Sequence, residues 1–456
     1  MSKNDIILRN PKQGALVKAT QQSQTFLTLL QQSDERRLVE ILKSIDFEDA
    51  TELISRLEHI EWTAEFIEKY AEYWDWQRLS WNKALPWSME LIERFEDRWN
   101  WGFLGLSGNR ALPWSIELIR RFKYSWDWDS LSSNEALPWS IELIERFEDS
   151  WDFRWLSWNS ALPWAMEFFE RFEDSWDFRR LSRNKALPWS MELIERFEAR
   201  WNWEALSSND ALPWSMELIE RFEDSWDFRK LSWNSALPWS MELIERFEDS
   251  WNWGGFGLSH NEALPWSVEF FRRFEDSWDW QVLSFNNALS WSMALIERFE
   301  DSWNWHGLSW NKALPWSMEF FERFEDYWDF KRLSGNRALP WSMELIERFE
   351  DSWDWERLSR NKALPWSMEL IERFEERWGW EKGGLSGNEV LPWSIDLLDK
   401  FKHKWDWWRL ADNEKARQIF TALSVQGIEE VMDYHIANLR LKDDLDDLDD
   451  LDDFPF

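Results

Sequence analysis

The stretch "PWSMELIERFEDSWDWERLSRNKAL", Pro340 to Leu364, is one copy of a unit that fills most of this 456-residue chain. The unit recurs every 25 residues, or every 27 where "GFLG", "GGFG" and "EKGG" lengthen it. Its first residue occurs as Pro86, Pro113, Pro138, Pro163, Pro188, Pro213, Pro238, Pro265, Ser290, Pro315, Pro340, Pro365 and Pro392. A period in this range is typical of a solenoid, in which each repeat packs on its two neighbours.

Two helices are predicted in each unit. Pro340 suits the first turn of a long helix, where a missing N–H is tolerated. At 100° per residue, Leu345, Phe349 and Trp353 fall on one arc, and acidic residues fall on the opposite arc. The first helix is therefore predicted to be amphipathic, with an acidic outer face.

A second, shorter helix is predicted in "WERLS". Asp354 precedes it at a position that is Asp or Asn in nearly every copy, which is typical of a helix N-cap. Asn361 suits a left-handed cap or turn before the next unit. Trp341, Trp353 and Trp355 recur in the units and are predicted to form the core.

These patterns predict an all-α solenoid of about 14 helix-pair repeats, of either handedness, with a helical cap at each end. We place an N-terminal segment and cap at residues 1–54 and the repeats at residues 55–410. A C-terminal cap follows at residues 411–440, and residues 441–456 form an acidic tail that we expect to be disordered.

The spacing "WDWxxLSxN", as in Trp353 to Asn361, resembles the tryptophan-rich tandem repeats of many giant-virus proteins and some bacterial proteins. The resemblance covers about residues 55–413 and implies a repeat fold but no activity. The "LPWS" opening of each unit differs from the "ITW"-like element of the viral repeats.

The composition restricts the kinds of partner. The 44 tryptophans and a hydrophobic content of 44% allow a large core, and the net charge of −34 disfavours nucleic acid and anionic membrane surfaces as partners. No apolar run approaches the roughly 20 residues of a membrane span, and the N-terminus has no secretory segment. We therefore expect a soluble, cytoplasmic protein. The absence of cysteine excludes disulfides, thiolate ligands and cysteine nucleophiles.

No catalytic constellation is recognisable in the sequence. The histidines occupy unrelated places in the repeat, without metal-ligand or triad spacing, and the carboxylates recur at repeated positions. The histidines are His59, His260, His306, His403 and His435. We therefore predict no enzyme activity, no cofactor, no metal site and no small-molecule substrate.

One position varies inside an otherwise regular repeat: the residue between Ser and Asn of "LSxN". Such variation indicates freedom from packing, and it makes this position a candidate binding edge. The large side chains there are Trp81, Trp158, Arg183, Trp233, Phe285, Trp310 and Arg360. Basic residues accompany them, namely Lys83, Arg110, Arg179, Arg180, Lys185, Lys312, Lys331, Arg332, Arg337 and Lys362. The alternative is that these charges only balance those of adjacent repeats.

The chain ends in "LKDDLDDLDDLDDFPF", Leu441 to Phe456, which resembles the acidic tip of bacterial single-stranded-DNA-binding proteins. That resemblance implies a docking peptide in which Phe456 is the anchor, read together with its carboxylate, and Pro455 is a rigid spacer. Phe454 takes the place of an aliphatic residue, and the aspartates supply steering charges. The tail residues so assigned are Asp449, Asp450, Asp452, Asp453, Phe454, Pro455 and Phe456.

Three functions follow as hypotheses. The first is a non-catalytic scaffold for protein–protein interaction, whose tail docks on DNA replication and repair proteins that bind the tip. The second is binding of single-stranded nucleic acid along the basic and aromatic edge. The third is an acidic mimic of DNA that inhibits a DNA-binding enzyme; the repeats carry lower charge per length than B-DNA.

Overall fold

The computed structural model describes residues 32–381 and 383–449, and within these ranges the chain forms helices and turns without any β-strand. The residues fall into two compact units. The central unit comprises Trp87–Pro365 and Glu369–Gly379. The terminal unit comprises the described residues up to Pro86, Trp366–Met368, and those from Trp380 onward. The predicted all-α repeat fold is confirmed.

Each repeat of the central unit contains a first and a second helix, except the last, whose first helix Met368–Arg373 has no second helix in this unit. The first helices are Met89–Arg94, Ile116–Arg121, Ile141–Arg146, Met166–Arg171, Met191–Arg196, Met216–Arg221, Met241–Arg246, Val268–Arg273, Met293–Arg298, Met318–Arg323, Met343–Arg348 and Met368–Arg373. The second helices are Leu106–Gly108, Trp128–Ser133, Phe153–Leu156, Phe178–Leu181, Trp203–Ser207, Phe228–Leu231, Leu258–His260, Trp280–Leu283, Trp305–Leu308, Phe330–Leu333 and Trp355–Ser359. Leu106–Gly108 and Leu258–His260 are 3₁₀ turns, as is the additional segment Glu325–Tyr327.

The first helix is shorter than the sequence indicated. It spans only Met343–Arg348 because Ser342 is its N-cap, with the Ser342 hydroxyl accepting a hydrogen bond from the Leu345 N–H at 3.1 Å. Phe349 leaves helical geometry, at φ −117° and ψ 28°. The prediction of a long helix beginning at Pro340 is therefore wrong.

The second helix begins as predicted. The Asp354 carboxylate accepts a hydrogen bond from the Arg357 N–H at 3.0 Å, which confirms the N-cap. The asparagine after this helix is not left-handed, since the equivalent residues Asn134 and Asn261 have φ of −76° and −74°. Its side-chain oxygen instead holds a turn by accepting a backbone N–H two residues later, as Asn361 does.

Of the three tryptophans predicted to be core, only Trp353 is fully buried, whereas Trp341 and Trp355 are half-buried. The rings of Trp341 and Trp353 lie 5.0 Å apart within one repeat. Trp355 reaches the next repeat and meets the edge of Trp378 at 4.8 Å. Trp341 therefore covers Trp353 within its repeat, and Trp355 covers Trp378 and so joins neighbouring repeats.

The Ser and Asn of "LSxN" form a buried polar connection between repeats, which we call the Ser–Asn ladder. The Ser334 hydroxyl accepts a hydrogen bond from the Asp354 N–H of the next repeat at 2.9 Å. The Asn361 amide donates to the carbonyls of Ser334 and Asn336, at 3.0 and 3.1 Å. Ser334 is fully buried and Asn361 nearly so. Each repeat thereby satisfies the buried backbone groups of its neighbour.

A second connection joins the outer faces of consecutive first helices, and we call it the Arg–Glu ladder. An arginine near the end of one helix pairs with a glutamate of the preceding helix, at N–O distances from 2.5 to 3.6 Å. The pairs are Arg121–Glu93, Arg171–Glu145, Arg196–Glu170, Arg221–Glu195, Arg246–Glu220, Arg273–Glu245, Arg323–Glu297, Arg348–Glu322 and Arg373–Glu347. On this face the charges do balance those of adjacent repeats. Because these pairs are exposed to solvent, each contributes little to the stability of the fold.

The terminal unit is built from both ends of the described chain. Its helices are residues 32–43, Phe47–Ser55, Ala64–Lys69, Trp76–Trp81, Leu385–Gly387, Ile395–Lys400, Trp407–Asp412, Glu414–Arg417, Gln418–Ala422 and Val425–Asp449. Leu385–Gly387 and Gln418–Ala422 are 3₁₀ turns. Phe47–Ser55 packs on Trp76–Trp81 and also on Trp407–Asp412, which packs on Leu385–Gly387. The two end segments, predicted as separate caps, thus pack on each other.

Polar and aromatic contacts hold these ends together. His435 stacks on Phe47 with ring centroids 5.0 Å apart, and its Nε2 lies 2.9 Å from the Leu42 carbonyl oxygen. The Tyr70 hydroxyl donates to Asp433 at 2.9 Å, and its burial raises the pKa of Tyr70 to about 12. Further polar pairs are Glu35–Ser424, Arg37–Asp396, Lys43–Glu430, Arg56–Asp412 and Lys69–Glu429.

The last helix continues to Asp449, well into the segment that the sequence assigned to a disordered tail. Leu441, Leu445 and Leu448 are spaced by four and three residues, which is compatible with a helix.

Within the described ranges, no helix combines the length and the apolar character that crossing a membrane requires.

Candidate functional site

The variable residue of "LSxN" is exposed because its two neighbours belong to the Ser–Asn ladder. In the central unit Trp158, Trp233 and Trp310 are 49%, 44% and 37% exposed, and Arg183 and Arg360 are also exposed. Trp81 holds the same place in the terminal unit and is 40% exposed. The predicted freedom from core packing is confirmed at these positions. Phe285 is half-buried, since its ring lies against Gly307 of the next repeat.

Two of the candidate residues meet across a groove in the central unit, which we call the Gly335 groove. It has a volume of about 470 Å³, with Trp310 on one side and Arg360 on the other. Gly335 lies at the variable position between them, and a Cβ added there would stand 2.9 Å from the Trp310 ring. The missing side chain of Gly335 therefore leaves the space open.

Cations outnumber anions in the lining of the Gly335 groove. The lining charges are Lys331, Arg337, Arg357 and Arg360 against Asp354 and Glu356. Arg357 pairs with Asp354 at 3.4 Å, and Arg360 pairs with Glu356 at 2.7 Å. Lys331 and Arg337 form no ion pair with any residue that the structure describes. The groove therefore combines a net positive charge with an exposed indole.

Arg332 contacts Trp310, the aromatic residue of this groove. Its guanidinium carbon lies 5.9 Å from the centroid of the Trp310 ring, at the distance of a cation–π contact. Such a contact holds the indole in place. Basic and aromatic residues of the predicted edge therefore lie together at this groove.

A second groove of about 400 Å³ lies beside Trp233, and we call it the Trp233 groove. Its other aromatic wall is Phe256, 74% exposed, whose ring centroid lies 6.2 Å from that of Trp233. Phe256 was not among the residues predicted from the sequence, although the insertion "GGFG" places an aromatic residue between glycines in a loop. Positive φ at Gly255, 51°, shapes this loop.

The cations of the Trp233 groove are neutralised, unlike those of the Gly335 groove. Arg229 pairs with Asp227 at 2.9 Å, and this hydrogen bond lowers the pKa of the Asp227 carboxyl. Lys230 lies 3.6 Å from Glu204. This groove is therefore aromatic but close to neutral.

The other basic residues of the predicted edge do not gather into one site. Arg110 pairs with Glu135 and Lys185 with Asp210, each in the following repeat at 2.7 Å. Arg180 stacks on Trp155, which is 36% exposed and was not among the predicted residues. At these repeats the basic side chains are neutralised by carboxylates of the adjacent repeats, as expected if the charges only balance those of neighbouring repeats.

Within the described part of the chain, no group of three His, Asp or Glu side chains could hold a metal ion. Asp449 is the last helical residue of the tail, and the other predicted tail residues lie outside the described ranges. They are Asp450, Asp452, Asp453, Phe454, Pro455 and Phe456.

No family model, curated protein sequence or solved structure matches this chain.

Proposed function

We propose that this protein is a non-catalytic repeat scaffold that binds protein partners through the variable "LSxN" positions, which lie at or just beyond the ends of its second helices. The supporting observation is the separation of roles inside "LSxN". Its Ser and Asn hold adjacent repeats together, while the residue between them is exposed and changes from repeat to repeat. A surface that varies on a constant framework is the usual design of repeat proteins that bind other proteins.

The tail supplies a second contact in this proposal. The acidic segment that ends in Phe454, Pro455 and Phe456 docks on DNA replication and repair proteins that bind the acidic tip of single-stranded-DNA-binding proteins. The resemblance of the sequence supports this part. Aspartates would accelerate association with a basic partner surface, and the aromatic rings would supply the buried anchor.

A binding experiment tests the tail. The full chain and its Phe454→Ala/Phe456→Ala variant are titrated against a purified bacterial repair protein that binds that tip. We expect the variant to bind at least about tenfold more weakly, because two buried aromatic anchors are lost. A free tip peptide should compete with the full chain. Equal affinity of the two chains would sink the tail proposal.

Binding of single-stranded nucleic acid is the second candidate, and the Gly335 groove favours it. An exposed indole beside unpaired Lys331 and Arg337 offers a stacking surface together with phosphate contacts. We expect weak binding of an oligothymidylate, measured by fluorescence anisotropy, that decreases between about 50 and 200 mM salt.

A double variant separates this candidate from nonspecific attraction. Lys331→Glu/Arg337→Glu should abolish the anisotropy change, whereas Arg110→Glu, at a cation already paired with Glu135, should retain it. If the intact protein shows no binding at low salt, nucleic acid is not its ligand.

A further inference from the structure

One repeat junction in the central unit departs from the Arg–Glu ladder. Arg298 occupies the ladder position of its helix, but the residue 26 positions earlier is Arg272 in place of glutamate. Neither guanidinium forms an ion pair with any residue in the described ranges. We call this pair of adjacent first helices, Val268–Arg273 and Met293–Arg298, the Arg272–Arg298 junction.

Two arginines at the ladder positions of adjacent first helices can still both form ion pairs, as another pair of repeats in this chain shows. Arg120 and Arg146 hold the same two positions in an earlier pair of repeats. There, Arg120 pairs with Glu117 at 2.8 Å and Arg146 with Glu142 at 3.7 Å, each within its own helix.

At the Arg272–Arg298 junction neither of these internal pairs forms. The residue equivalent to Glu142 is Ala294, so Arg298 has no carboxylate on its own helix at this place. Glu269 is equivalent to Glu117, but it forms no ion pair with Arg272. The substitution pattern thus leaves two cations together.

An apolar pocket opens at the same junction. It has a volume of about 260 Å³, and its lining includes Val268, Phe271, Leu295 and Phe299 together with both arginines. The first helix here buries Ile296 but leaves Leu295 partly exposed, whereas the other first helices of the central unit bury both equivalent residues. Val268 is 61% exposed. The repeat therefore presents apolar surface that its counterparts hide.

We propose that the Arg272–Arg298 junction binds the acidic, aromatic segment Asp452–Phe456 of this chain. The pocket is smaller than the ~300 Å³ or more of sites for drug-sized ligands and suits a side-chain anchor. A phenylalanine ring fills its apolar interior, while the neighbouring aspartates meet the two unpaired guanidinium groups. The protein as a whole has a net charge of −34, so it repels acidic peptides over most of its surface. The two arginines, which form no ion pair with any described residue, give this junction a local positive charge that is complementary to an acidic peptide.

This docking has a functional consequence. A segment held at the junction is not available to another protein, so the junction would limit how much free tail the protein presents. The proposed binding of the segment at this pocket stands whether or not the segment also binds repair proteins.

Fluorescence anisotropy of a labelled peptide of residues 447–456 tests the proposal. The receptor is the full chain carrying Phe454→Ala/Phe456→Ala, so that its own segment does not compete. We expect saturable binding that weakens by about tenfold or more when Arg272→Glu/Ala294→Glu is added, because two charge-assisted contacts are lost. These substitutions recreate the Glu–Arg pair of the other junctions and should leave the melting temperature unchanged or higher.

Arg120→Glu is the control, since it repeats the arginine-to-glutamate change of Arg272→Glu at the junction whose arginines are already paired, and it should leave the affinity unchanged. A peptide with both phenylalanines replaced by alanine should not bind. Three results would overturn the proposal: absence of binding, equal loss with Arg120→Glu, or unchanged binding of the alanine peptide, which would indicate electrostatic adsorption only.

Discussion

Replacing Asn184 with alanine is expected to destabilise the central unit by about 2–4 kcal/mol, since buried polar groups are left without partners. The Asn184 amide donates to the Ser157 carbonyl at 3.0 Å and reaches the Asn159 carbonyl at 3.4 Å. Its side-chain oxygen accepts the Ala186 N–H at 2.8 Å. Only 4% of Asn184 is exposed, so water cannot replace these contacts.

Hydrogen exchange should show where the loss acts. Because a repeat contacts only its neighbours, exchange should accelerate mainly in the repeats around residues 157–209. Thermal unfolding followed by tryptophan fluorescence gives the overall loss.

The neighbouring residue supplies the control. Arg183→Ser changes an exposed position where other repeats already have serine, at Ser133 and Ser208, and should alter stability by less than about 0.5 kcal/mol. Equal losses in the Asn184→Ala and Arg183→Ser variants would show that the Ser–Asn ladder does not join the repeats.

The features that the sequence predicted correctly depend on short spacings. The 25-residue period, the pairing of helices and the Asp354 cap each follow from residues within one repeat or from direct comparison of copies. The first helix was predicted too long because Phe349 and Trp353 continue the apolar arc, although they lie in the turns beyond Arg348. Apolar periodicity marks the buried face, and it does not fix where helical geometry ends.

The role of the asparagine was missed for a different reason. Asn is favoured in left-handed turns, so local preference pointed there, but three hydrogen bonds across and within repeats determine the conformation. The Gly335 groove could have been found by comparing residues 25 apart, since Trp310, Gly335 and Arg360 hold one position in successive repeats. The pairs of the Arg–Glu ladder are mostly 26 residues apart, and comparing residues at that separation shows arginine at both Arg272 and Arg298.

The packing of the two chain ends left no periodic signal. The segments that meet are separated by more than 350 residues, as in the pair of Arg37 with Asp396, and the N-terminal partner, residues 32–55, does not carry the repeat sequence. Helix Phe47–Ser55 takes a place in the row of second helices without any "LSxN" motif of its own. The sequence therefore contains no sign that Phe47–Ser55 packs between two second helices, Trp76–Trp81 and Trp407–Asp412.

His435→Ala is the second substitution from which we expect a large effect, namely a loss of about 2–4 kcal/mol in the terminal unit. The variant leaves the buried Leu42 carbonyl without its partner, at about 1–3 kcal/mol, and removes the stacking on Phe47, at about 0.5–1.5 kcal/mol. His435 is 7% exposed, so neither contact is replaced by solvent.

The decisive readout for His435→Ala lies at the other end of the chain. If the ends are joined as described, hydrogen exchange should accelerate in residues 32–43 and in Phe47–Ser55, more than 370 residues before the substitution in sequence. Leu439→Ala, on the same helix but 41% exposed, should leave those amides unchanged. Faster exchange confined to Val425–Asp449 would contradict the joining of the ends, because a free C-terminal helix has no means of protecting the N-terminal segment.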